Sequence, residues 1–219
     1  MTTGTKTQRP EAGRRACLAT AMGLLVVGPS ASLAQASAPA FDLVALMAVL
    51  AQRKSGEARF TEERTVRSLD YPLQARGRLT FQAPDRFARF TEEPTTESME
   101  VNGNQVLLKR GKRTRQMTLD AAPEMAALAE AMRGTLSGDA AALQRHFRAQ
   151  VSGNAARWVL RLTPLDSRLA RTVEQLEISG LGSDVRSLDL RLVGGDRSLM
   201  LVEPVAEGQT SNPATPSGK

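Results

Sequence analysis

The chain has 219 residues, a formal net charge of +6, one cysteine and one histidine. About half of the excess charge falls near the N-terminus, where Lys6, Arg9, Arg14 and Arg15 stand against Glu11, and the remainder is only mildly basic. That balance, with few aromatics, excludes a stacking or phosphate-tracking surface for nucleic acid, and one histidine excludes the usual nitrogen and sulfur metal sites.

The first segment reads as a secretory leader: a basic stretch ending in Arg14-Arg15, an apolar run over 16–27, then Gly28-Pro29 and small residues over 30–38. The run is too short to span about 30 Å of bilayer as a permanent helix. The expectation is therefore a cleaved leader over 1–36, with cleavage after Ala34 or Ala36, and the export route stays open. Cys17 lies at the start of the apolar run, not at its end where a lipid-attachment cysteine would sit, so the exported domain is expected to have no disulfide.

A helix is predicted over 41–52 from the stripe Phe41, Leu43, Val44, Met47, Val49 and Leu50, ended by Lys54-Ser55-Gly56. The period then changes to two. Ala58 and Phe60 lead through Val66 to a turn at Asp70-Tyr71-Pro72. From Leu73, Ala75, Gly77, Leu79 and Phe81 share one face, and Gln74, Arg76, Arg78, Thr80 and Gln82 the other. Ala83-Pro84-Asp85 makes the next turn, a strand follows over 86–90, and Glu93-Pro94 stops it. Asn102-Gly103 marks a hairpin between strands over 98–101 and 105–108, and a basic turn over 109–113 precedes a strand over 114–119. Met125, Leu128, Ala129 and Met132 predict a helix over 121–133 closed by Gly134, with a short helix over 139–145 after it. Strands are predicted again over 146–151, 157–163, 173–179, 187–193 and 198–202, and a disordered tail over 207–219.

Catalysis is not expected. His146 has no serine or carboxylate near it in sequence, Glu62-Glu63 and Glu92-Glu93 point to opposite faces of their strands, and Gly180-Leu181-Gly182-Ser183 lacks the lysine and helix of a phosphate loop. What remains is a methionine- and phenylalanine-rich set. Phe60, Leu79, Phe81, Phe87, Phe90, Met99, Val101 and Leu107 are assigned to one sheet face, with Met125, Leu128 and Met132 on the central helix and Trp158 on a later strand. Such residues line an adaptable cavity or fill an ordinary core, and pattern alone leaves both open.

Three runs in order, 58–62, 77–87 and 100–107, together with the helix before them, resemble the LolA family of periplasmic lipoprotein carriers. The resemblance implies an α+β fold, mostly antiparallel: a curved, incomplete half β-barrel covered on its concave face by helices, over 37–206. It implies no cofactor, metal or chemical step, and a monomeric carrier that shields the acyl chains of a lipoprotein or other lipid-like cargo. The partners implied are an inner-membrane exporter and an outer-membrane acceptor. Phe60, Leu79, Phe81, Phe87, Phe90, Met99, Val101, Met125, Leu128, Met132 and Trp158 are then the cavity candidates. The family's lid arginine is replaced by Ala83, which leaves Arg86 and Arg89 as candidates to hold the lid. The basic turn Lys109, Arg110, Lys112 and Arg113 is either a docking site or a solvated hairpin tip. The competing class is a non-catalytic envelope scaffold or regulatory protein that uses its sheet surface.

Overall fold

The computed structural model describes residues 41–119 and 123–205. The elements in chain order are α1 (Leu43–Leu50), β1 (Ser55–Thr65), β2 (Leu73–Gln82), β3 (Arg86–Glu93), β4 (Glu97–Asn102), β5 (Gln105–Arg110) and β6 (Arg113–Thr118). They continue with α2 (Pro123–Ser137), α3 (Ala140–His146), β7 (Phe147–Gly153), β8 (Trp158–Pro164), a 3-10 turn at Leu169–Arg171, β9 (Val173–Leu181), β10 (Asp184–Leu192) and β11 (Arg197–Pro204). The expected leader over 1–36 and tail over 207–219 lie outside the described residues. Among the described residues no helix is long and apolar enough to cross a membrane.

The eleven strands among the described residues form one antiparallel sheet in the order β6-β5-β4-β3-β2-β1-β11-β10-β9-β8-β7, curved and open, as expected for a half-barrel. Two meanders, β1 to β6 and β7 to β11, are joined by the helices, and the β1–β11 pairing stitches them into one sheet. Strand periodicity sets the two faces. Phe60, Leu79, Phe81, Phe87, Arg89, Met99 and Val101 fall on the concave face through the pairs Ala58↔Leu79, Leu79↔Arg89, Phe81↔Phe87, Phe87↔Val101 and Arg89↔Met99. The convex face carries exposed ion pairs, Arg78 with Glu92 at 3.1 Å, Lys109 with Glu100 at 2.9 Å and Arg161 with Glu177 at 2.8 Å. Pairs so exposed add solubility more than stability.

Two separate cores lie on the concave side. The larger joins Leu46, Met47 and Leu50 of α1, Ala131 of α2 and Leu143 of α3 to Phe147, Trp158, Leu160, Leu162, Val173, Leu176 and Ile178 of the later strands. The smaller joins Val101 and Val106 to Leu119 and Ala129. Helices thus cover both flanks of the sheet, and the central strands β11, β1, β2 and β3 lie between the two clusters.

Several predicted boundaries move, each for a physical reason. The hairpin turn is Gly103-Asn104, one residue beyond the expected Asn102-Gly103. This register sets Val101 against Val106 and Met99 against Leu108. Much of the basic segment is strand, with only Gly111-Lys112 in its turn. Helix α2 runs through Gly134 to Ser137 and stops at Gly138, whose φ of +73° suits only glycine. Gly134 serves close packing instead, since a Cβ there would stand 2.8 Å from Leu143 Cγ on α3.

Candidate functional site

A cleft opens between the two cores. Ala58 and Gly56 of β1, Leu79 and Phe81 of β2, Phe87 of β3, Val202 and Pro204 of β11, Leu188 and Val185 of β10 and Ile178 of β9 line it from the sheet. Leu50 of α1 and Met132, Thr135 and Leu136 of α2 cover it. It encloses about 810 Å³ of non-protein space including its open mouth, of which about 100 Å³ is wide enough for water, and its walls are overwhelmingly apolar. A wider groove, about 1400 Å³ with its open mouth included and with mixed polar and apolar walls, adjoins it, sharing Arg53, Gly56, Glu57, Thr80, Phe81, Phe87 and Ala88. Arg53, just after α1, lies at this junction and forms an ion pair with Asp184 of β10. Gly56 makes room for that arrangement, because a Cβ there would come within 2.7 Å of the Phe81 ring and 3.1 Å of Arg53 Nε.

One charged cluster stands on the same concave face. Glu62 is only 4% exposed, and its carboxylate accepts hydrogen bonds from Arg89 of β3, Ser198 of β11 and Arg64 of β1. Burial pushes the Glu62 carboxyl up, but the Ser198 hydroxyl and the Arg89 guanidinium outweigh it and hold it below the ordinary carboxylate range. The Arg89 guanidinium lies 4.7 Å from the centre of the Phe60 ring. Its Nε is buried with no hydrogen-bond partner among the described residues. Sequence reasoning missed Glu62 because an adjacent Glu-Glu pair reads as polar surface. The only available signal was that one of the two had to share the face of Phe60.

The helical cover is tied to the sheet by an arginine that sequence reasoning also missed. Arg133 of α2 donates to the Gly103 carbonyl in the β4–β5 turn at 2.9 Å. Of the two expected lid arginines, Arg89 is committed to Glu62, and Arg86 is exposed at the end of β3.

The cavity candidates separate into groups. Leu79, Phe81, Phe87 and Met132 line the cleft, and Val101 lines the adjoining groove while also belonging to the smaller core, against which Met99 packs. Phe60 is buried beneath Arg89 rather than in the cleft wall. Trp158 fills the larger core, its indole N–H donating to the Gly182 carbonyl at 2.8 Å. Phe90 and Leu107 face the convex side, Phe90 opposite Ser98 with Arg78 5.7 Å from its ring centre, and Leu107 opposite Glu100. Phe87 and Phe90 are three apart on a regular strand and cannot share a face. Met125 and Leu128 belong to α2, but their side chains lie outside those described. In the basic segment Lys109 and Arg110 pair with Glu100 and Glu97, and Lys112 and Arg113 are exposed at the turn. Ala58, Leu188 and Val202, which form much of the cleft, were read in sequence as ordinary strand positions, and Val185, which also lines it, fell between two predicted strands.

Among solved structures, a LolA superfamily protein of Nitrosomonas europaea is 8% identical, with 75% of this chain and 92% of that one covered at a TM-score of 0.40. An outer membrane lipoprotein-sorting protein domain of Vibrio parahaemolyticus is 10% identical over 78% and 93% of the two chains, with a TM-score of 0.39. MucB is 14% identical over 78% of this chain and 62% of its own, with a TM-score of 0.42. The comparison with curated proteins gives no match. The family model described as "Outer membrane lipoprotein carrier protein LolA-like" matches residues 35–215, and the chain therefore belongs to the LolA-like family.

Proposed function

We propose that this protein is a periplasmic carrier, exported by a cleaved leader over 1–36, that shields the acyl chain of a lipoprotein or other lipid-like cargo between an inner-membrane exporter and an outer-membrane acceptor. The observation that carries the reading is the apolar cleft left open between two well-filled cores. A domain this size closes apolar gaps unless something else fills them, because an unfilled lining forfeits dispersion contacts. Each methylene moved from water into such a cleft is worth about 0.8 kcal/mol, so an acyl chain gains there what it would lose in the periplasm. Membership of the LolA-like family supports the same reading.

The reading requires no chemical step. The Arg133 bond to Gly103 and the Arg53 pair with Asp184 are the contacts a closing helical cover would use, and α2, whose Met132, Thr135 and Leu136 roof the cleft, is the element that moves on loading. The mature domain should bind a fluorescent fatty acid saturably, with displacement by unlabelled acyl lipid. Absence of binding at lipid concentrations below micelle formation would overturn the carrier reading.

A further inference from the structure

The two ends of the sheet are left differently. Strand β7 has its concave side buried: Phe147 belongs to the larger core, Ala149 and Val151 pack against it, and α1 and α3 lie alongside. Strand β6, at the other end of the order, has no strand beyond it among the described residues, and Arg113, Thr114, Arg115 and Gln116 are all exposed. Its pairing with β5 fixes the faces, since Met117 stands opposite buried Val106, Arg115 opposite Leu108 and Arg113 opposite Arg110. Met117, Arg115 and Arg113 therefore follow one another along the concave side, about 7 Å apart, while Thr114 and Gln116 face the convex side. Five of the ten residues from Lys109 to Thr118 are Lys or Arg and none is Asp or Glu. Glu100 and Glu97 of β4 take up Lys109 and Arg110. Lys112, Arg113 and Arg115 have no ion-pair partner among the described residues.

We propose that the free edge of β6 is a docking site for an extended acidic segment of a partner protein, which adds a twelfth strand to the sheet. An edge strand presents unpaired N–H and C=O groups, and an added strand satisfies them at every second residue. Side-chain chemistry then selects the occupant. A strand about 4.8 Å beyond β6 sets its own concave-side residues directly opposite Arg113, Arg115 and Met117. The complementary pattern is a carboxylate at two alternate positions and an apolar residue at the next, which rests on Met117 at the open side of the smaller core. A second copy of this chain does not fit: β6 against β6 brings arginine to arginine, and β7 carries Arg148 and no carboxylate. The same-sign edge thus excludes self-pairing and admits an acidic strand. An anionic membrane would meet Arg113 beside Glu97 and would leave the backbone edge unpaired. No residue of β6 lines the cleft or the adjoining groove, so the inference stands independently of the carrier reading.

The test is titration of the protein with a fluorescent synthetic peptide of about nine residues, with glutamate at two alternate positions, leucine at the next and threonine between them. Binding should weaken as salt rises, and lysine in place of glutamate should lower affinity about tenfold. Arg113→Glu with Arg115→Glu should reverse the preference in favour of the lysine peptide, and Arg113→Gln with Arg115→Gln should abolish it. Both positions are exposed, and circular dichroism establishes that the variants are folded. Two further peptides carry N-methyl groups on alternate sets of amides; one should bind as the parent does and the other should not, because only one set points at β6. Bound peptide should slow amide exchange in residues 113–118 and leave β8 unchanged. Absence of binding, equal affinity for the glutamate and lysine peptides, or equal affinity for the two methylated peptides overturns the proposal. Retention on anionic phospholipid vesicles without binding of the peptide also overturns it and assigns the free arginines to a lipid surface. Displacement of a fluorescent fatty acid should be the same in wild type and in both double variants, so failure of this site and failure of the carrier reading are read apart.

Discussion

Ala58→Trp converts the cleft into a filled core and separates its two possible roles. Ala58 lies between Leu79 and Pro204 in neighbouring strands, its small side chain facing the cleft. An indole placed there occupies the room of about five methylenes of a bound chain, about 4 kcal/mol of lost burial, or about a thousandfold in Kd. Overpacking a closed core by such a side chain costs about 1–3 kcal/mol or more. Here the cleft has about 100 Å³ wide enough for water and an open mouth into which the ring can extend, so the melting temperature should stay within a few degrees of wild type. Displacement of a fluorescent fatty acid gives the affinity, and thermal melting followed by circular dichroism gives the stability. Unchanged affinity with an unchanged melting temperature would refute the assignment of the cleft as the acyl site. A large loss of stability would show that the cleft is closed core.

Three further outcomes follow from particular contacts. Trp158→Ala empties a fully buried site against Gly180 and removes the bond to Gly182, and urea unfolding should show a loss of about 3–5 kcal/mol. Glu62 has a folded-state pKa below its ordinary 4.5, so its stabilisation is present above that value and is lost as pH falls through the lowered one. Melting temperature should therefore fall more steeply with acid in wild type than in Glu62→Gln, and parallel curves would contradict the pairing. Arg133→Met removes a charge-assisted bond worth about 1.5–3 kcal/mol. Amide exchange in residues 123–137 should speed up while β8 and β9 stay protected, and uniform acceleration would mean that α2 is not a separable cover.

Much of the fold was legible because alternation and turn chemistry agree along most strands. Leu73 to Gln82 is the clearest case: the predicted faces match the burial pattern and the pairing with β1. The α2 boundary was misplaced because Gly134 and Gly138 lie four residues apart, and tertiary packing against Leu143 decides which of them ends the helix. Of the cleft lining, Leu79, Phe81, Phe87 and Met132 were already candidates in the sequence because they are large, apolar and in phase. Ala58, Val185, Leu188 and Val202 were not, since a cleft between two cores depends on how β11 pairs with β1, more than a hundred residues apart in the chain. Glu62 was obscured for the opposite reason, and Arg89 was a lid candidate rather than the partner of Glu62. Their charges balance each other only in the folded sheet.

Native mass spectrometry of the protein, purified from cells without detergent, tests the carrier reading most directly. An added mass that departs on denaturation and is recovered as an acylated molecule, absent from Ala58→Trp, is the predicted result. Protein that emerges empty, and stays empty after incubation with acyl lipids and lipoproteins, would contradict it.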